Sequence, residues 1–141
     1  MLLNDVGIRV KTLKGLKFVA DSQSLRKLIE GHFLLNEKIS VHFFGLHGFS
    51  LLRRDPQLLK ILTARSSYLV CDSTFCWLVC LIAGRRVQRI PGPDFFSELF
   101  LNNKFWLGRP HYFYGDTPDT LLQLVRRYTG DCSLTTVPQS L

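Results

Sequence analysis

Two rhythms of apolar residues alternate along the chain. Short runs are rich in β-branched and aromatic side chains, and longer stretches repeat every three to four positions. The alternation predicts a three-layered α/β protein on a mostly parallel sheet. Gly7–Val10 and Leu16–Ala20 read as an opening hairpin or two edge strands. Asp21 or Ser22 then caps a helix whose Leu25, Leu28, Ile29 and His32 share a face. Ile39–Phe44 is a strand, and a glycine-flanked loop, Gly45–Gly48, follows it around His47. Asp55-Pro56 starts a second helix, because proline at the first helical position loses no hydrogen bond. Leu58, Leu59, Ile61 and Leu62 supply that helix with a buried face. Tyr68–Cys71 is a short buried strand, and Thr74–Ala83 an apolar helix that Gly84 ends. Val87–Ile90 leads into a helix opened by Pro93 and running to about Leu101. His111–Tyr114 is a strand, Thr117 caps a helix over Asp119–Tyr128, and Leu134–Val137 is a last strand. No repeat, linker or shift in composition divides the 141 residues, so the pattern predicts one domain, 1–141.

Composition narrows the class. With 46% apolar and 12% aromatic residues the chain can pack a core, which excludes disordered and fibrous proteins. The longest apolar run, Phe75–Ala83, is about half the length of a membrane span. Asn4 and Asp5 interrupt the apolar N-terminus too early for a secretory signal. A cytoplasmic protein is expected, at most peripheral at the inner face of the membrane. The net charge of +7 suits polyanions such as anionic lipid or the pyrophosphate of a nucleotide sugar. Basic residues do not interleave with exposed aromatics, so no nucleic acid partner is expected. Cys71, Cys76, Cys80 and Cys132 form no C-x-x-C pair and no histidine lies at ligand spacing, so no metal is expected. On a helix, Cys76 and Cys80 would face the core together as small hydrophobes.

In a parallel sheet, ligands bind beyond the carboxyl ends of the strands. Those ends carry Gly45–Gly48, Asp72–Thr74, Arg89–Asp94 and Gly115–Pro118. Asp72, between an apolar strand and an apolar helix, either caps the helix or serves as a partly desolvated general base. In Arg89-Ile90-Pro91-Gly92-Pro93-Asp94, two prolines around a glycine fix a rigid turn. Arg89 there either forks onto a phosphate or closes the loop by pairing with Asp94. His47 is either a packed loop histidine or an ionisable ring on a flexible backbone. Gly115 opens the turn Gly115-Asp116-Thr117-Pro118, whose single glycine is only loosely like a phosphate cradle.

Four segments, FFGLHGFSLLRRDPQLLKIL, YLVCDSTFCWLVCLIAG, RVQRIPGPDFF and HYFYGDTPDTL, follow one another over roughly Ile39 to Leu122. Their order and spacing resemble the WecG/TagA/CpsF glycosyltransferase family. The resemblance implies a Rossmann-related fold and inverting transfer of an N-acetylmannosamine-type sugar. The donor would be a UDP-sugar and the acceptor a lipid-pyrophosphate-linked glycan of cell-surface polysaccharide synthesis, with no metal or other cofactor. By the same resemblance Asp72 is the catalytic base and Arg89 meets the donor pyrophosphate. Asp94, Gly45, His47, Ser73 and Gly115 fall at or beside its substrate-binding positions.

This sequence departs from the family pattern in having Asp72-Ser73 for an Asp-Gly turn, Phe75 for a later glycine, and Gly45 for a pocket asparagine. Leu141 also precedes the family's Gly-x-Gly-x-Pro-x-Gln-Glu segment. The sheet is therefore expected to be incomplete relative to the family, leaving an apolar face or strand edge that favours self-association. Two other readings go with that expectation. One is a catalytically silent relative that binds a nucleotide sugar or a partner subunit, and the other is a basic module for anionic lipid.

Overall fold

The computed structural model describes residues 7–101 and 117–129. The strands expected at His111–Tyr114 and Leu134–Val137, and the turn at Gly115, lie outside the described residues. The chain falls into two compact units, Met1–Phe95 and Phe96–Leu141. In chain order the elements are β1 (Val10–Leu13), β2 (Leu16–Val19), α1 (Ser22–Leu34), β3 (Ser40–Phe44) and α2 (Leu46–Leu52). They continue with α3 (Pro56–Leu62), β4 (Ser67–Cys71), α4 (Thr74–Ile82), α5 (Gly92–Leu101) and α6 (Pro118–Thr129).

The four strands form one open mixed sheet in the order β1-β2-β4-β3. Strands β2, β4 and β3 run parallel, and β1 joins β2 antiparallel. With the helices this is an α/β fold of Rossmann-like character. Strand β4 has neighbours on both sides and is buried at all five positions, as a continuous apolar run in a parallel sheet requires. Its register pairs Ser40 with Ser67 and Phe44 with Cys71, so β3 and β4 end level with each other.

The first strand sits three residues later than Gly7–Val10, while β2 begins at Leu16 as expected. Lys14 and Gly15 both have positive φ, 49° and 83°, and make a two-residue turn that pairs Leu13 with Leu16. That turn fixes β1 at Val10–Leu13. Helix α1 starts as expected: the Asp21 carboxylate accepts from Ser24 N at 2.9 Å and pairs with Arg9 at 3.0 Å. Asp55 likewise accepts from Gln57 N and Leu58 N ahead of Pro56.

Two expectations are corrected here. Gly45–Gly48 is no loop, because α2 begins at Leu46 with Gly45 as its N-cap residue. Gly48 lies inside that helix for want of space: a Cβ there would stand 2.4 Å from the Phe44 ring. The ring is buried, with Phe18 and Phe49 packed edge-on against it. The buried face of α3 is also narrower than predicted. Leu62 is buried and Leu58 packs against the core, but Leu59 and Ile61 are exposed, since a seven-residue helix turns only one stripe inward.

Helix α4 is bounded by two local devices. Ser73 Oγ accepts from Cys76 N at 3.2 Å at its start. At its end Gly84, with φ +71°, donates to Leu81 O and Arg85 N donates to Cys80 O, the paired bonds of a glycine-terminated helix. Cys76 and Cys80 point inward and are fully buried, as their spacing predicts. In the second unit, Thr117 Oγ1 accepts from Thr120 N at the start of α6. No helix among the described residues is long and apolar enough to cross a membrane.

Candidate active site

The carboxyl ends of the three parallel strands share one edge of the sheet, and the segment after α4 is laced along it. Gln88 N donates to Ala20 O beyond β2, and Ile90 N donates to Cys71 O at the end of β4, each at 2.7 Å. Val87 and Ile90 are buried, while Gln88 and Arg89 face outward. The segment from Val87 to Gly92 thus lies against the sheet edge where the sequence places its chemistry. Pro91 and Gly92 then turn into α5, with Gly92 against the Phe43 ring.

Asp72 follows β4 directly. Its backbone N–H donates to Phe44 O at 3.2 Å, which ties the ends of β4 and β3 together. Ser73, not Asp72, caps α4. The Asp72 side chain instead reaches across the edge, and its Oδ1 accepts from Gly92 N at 2.9 Å. Oδ2 has no hydrogen-bond partner among the described residues. The half-buried carboxylate is therefore held in a set orientation with one oxygen uncommitted.

The other expected residues divide. Gly45 lies against Ser73, and a Cβ on it would meet Ser73 Oγ at 3.6 Å, ordinary contact. Arg89 does not close the loop onto Asp94; its Nη1 donates to Thr74 Oγ1 at 3.0 Å in the first turn of α4. Asp72, Ser73, Gly45 and Arg89 are thus joined through neighbouring contacts at the ends of β3 and β4. His47 and Asp94 are exposed in the first turns of α2 and α5, and no hydrogen bond or ion pair joins either to Asp72 among the described residues. Gly115 lies outside the described residues.

Two members of the constellation have no signal of their own in the sequence. Gly92 contributes a backbone N–H, which any residue but proline offers. Thr74 reads as an ordinary first-turn residue, and only folding brings Arg89 to it. Phe75 is also drawn in: it is 44% exposed and meets Phe49 of α2 edge-on at 6.0 Å.

The arrangement offers a fixed carboxylate with a free oxygen, a guanidinium on the same edge, and a short glycine-bordered turn between them. Such a set can accept a proton and hold an anion. No curated protein and no solved structure matches the chain. The family model described as "Glycosyl transferase WecG/TagA/CpsF family" matches residues 10–138. That match takes in the whole carboxyl edge from Gly45 to Asp94, and the chain belongs to the WecG/TagA/CpsF family of glycosyltransferases.

Proposed function

We propose that this chain transfers an N-acetylmannosamine-type sugar from a UDP-sugar to a lipid-pyrophosphate-linked acceptor in cell-surface polysaccharide synthesis, inverting the anomeric carbon. The observation behind the reading is the state of Asp72. Ser73 takes over helix capping, Gly92 N–H fixes one carboxylate oxygen, and the other oxygen is left uncommitted. A carboxylate needed only to start α4 would bond the first-turn amides instead.

In this reading the acceptor hydroxyl oxygen attacks C1 of the donor sugar and gives its proton to Asp72. The bond from C1 to the UDP oxygen breaks, and its electron pair leaves with UDP. Arg89, anchored by Thr74 and otherwise exposed, offsets charge growing on the departing pyrophosphate. No metal or cofactor takes part in the step. The acceptor's lipid would bring the chain to the inner face of the membrane.

The test is calorimetric titration of UDP and UDP-N-acetylmannosamine into the chain, with a transfer assay on a lipid-pyrophosphate acceptor. Arg89→Ala is expected to weaken UDP binding by about tenfold to a hundredfold, the worth of charge-assisted hydrogen bonds. Asp72→Asn is expected to leave UDP binding intact and lower transfer by at least about a hundredfold, the usual share of a general base. Failure of the folded chain to bind UDP, or transfer by Asp72→Asn at the wild-type rate, overturns the reading.

A further inference from the structure

The core holds a cluster that the transfer reaction does not use. Cys71 ends β4, and Cys76 and Cys80 lie one turn apart on the inner face of α4. All three side chains are fully buried, and their sulfurs lie within 4.8 Å of one another. The surroundings are Phe18, Phe44, Leu69 and Val87. No histidine, aspartate or glutamate joins the group among the described residues, and the Cys71 thiol donates to Ser73 O at 3.8 Å.

We propose that Cys71, Cys76 and Cys80 form a three-coordinate thiolate site for a soft d10 metal ion of the Cu(I) class.

The spacing supports this. A trigonal centre with metal–sulfur bonds of about 2.3 Å sets its sulfurs about 4 Å apart. The three sulfurs therefore need to close by less than about 1 Å, within the reach of side-chain torsions. The donor set selects the ion. Three sulfurs in a dry apolar pocket offer nothing to magnesium or calcium, which take oxygen ligands. Zinc prefers four ligands, and among the described residues no fourth cysteine, histidine or carboxylate joins these three. A soft ion content with three sulfurs fits what remains. Alternative packing of three free thiols needs no such convergence, since each thiol separately serves as a small hydrophobe.

Each sulfur that ligates the ion releases one proton to solvent, so apparent affinity must rise with pH. The ion would tie the end of β4 to α4 one residue before Asp72 and touch no reacting atom. The inference stands or falls independently of the proposed transferase reaction.

The experiment titrates the reduced full chain with Cu(I) held by a chromophoric chelator, and separately with Zn(II). One Cu(I) per chain is expected to leave the chelator and to raise the melting temperature. Cys76→Ala and Cys80→Ala are each expected to lower Cu(I) affinity by at least about a hundredfold, whereas Cys132→Ala keeps it. Copper X-ray absorption on the wild-type chain is expected to show three sulfur ligands at about 2.3 Å, a readout that requires no variant to fold. A folded wild-type chain that takes no Cu(I) overturns the proposal. So does tighter binding of Zn(II) than of Cu(I), or binding lost in Cys132→Ala but kept in Cys76→Ala.

Discussion

Gly45 and Gly48 stand three residues apart and serve different ends. At Gly45 the backbone is extended, with φ −124°, and a methyl group would make only ordinary contact with Ser73. At Gly48 the same methyl group would overlap the Phe44 ring, which is 5% exposed and hemmed in by Phe18 and Phe49. Alanine gains up to about 1 kcal/mol of helix propensity over glycine. A buried overlap of this size costs about 1–3 kcal/mol, and Phe18 and Phe49 both pack against the ring that would have to shift. Gly48→Ala is therefore expected to destabilise the fold by about 1–2 kcal/mol. Gly45→Ala should lose under about 1 kcal/mol, the difference between glycine and alanine at a helix N-cap. Urea unfolding of both variants checks this; equal losses would mean that the ring moves aside. The two glycines looked alike in the sequence because a loop glycine and a close-packed helix glycine carry the same letter. Only the position of the Phe44 ring separates them.

At the scale of elements, legibility followed the presence of a polar cap or a special backbone angle. Asp21, Asp55-Pro56 and Gly84 mark helix ends by local chemistry, and α1, α3 and α4 begin or end at those marks, whereas the cap of α4 falls to Ser73 and not to Asp72. Helix α2 carries no side-chain cap and holds a glycine in its middle, so nothing local announced it. With Ser73 as the cap, the Asp72 carboxylate bonds Gly92 N and not the first turn of α4. Ser73→Ala is expected to cost about 1 kcal/mol and to lower the melting temperature by about 4 °C. An unchanged melt would mean that another acceptor, Asp72 included, takes the Cys76 N–H. The hairpin shows the reverse limit. Its strand pattern was visible, yet its register was set by the positive φ of Lys14 and Gly15, which a Lys-Gly pair signals less clearly than Asn-Gly.

Over the whole molecule, apolar surface is the feature with a solution consequence. Along α4, Phe75, Leu78 and Leu81 are each 44% exposed and Ile82 is 79% exposed. These residues form the helix side opposite Cys76 and Cys80, so the helix is apolar all round but buried on one face only. A helix of that kind favours association. Light scattering is expected to show mass increasing with protein concentration, and a substitution such as Ile82→Lys to reduce the increase; a concentration-independent monomer counts against it. The charge of +7 opposes association at low salt, so added salt should strengthen it.

The sequence by itself determined the alternation of strands and helices, the caps of α1, α3 and α6, the inward pairing of Cys76 with Cys80, and the segments that mark the family. Each of these depends on residues within a few positions of one another, where hydrogen-bond geometry and periodicity act directly. Tertiary structure alone decided the rest. It brought Gly92 N–H to Asp72 across twenty residues and Arg89 to Thr74 across fifteen. It also added Cys71 of β4 to the two cysteines of α4 and left α4's other face open. Those contacts depend on where the sheet edge lies and how α4 packs on it, and local chemistry has no means of specifying either.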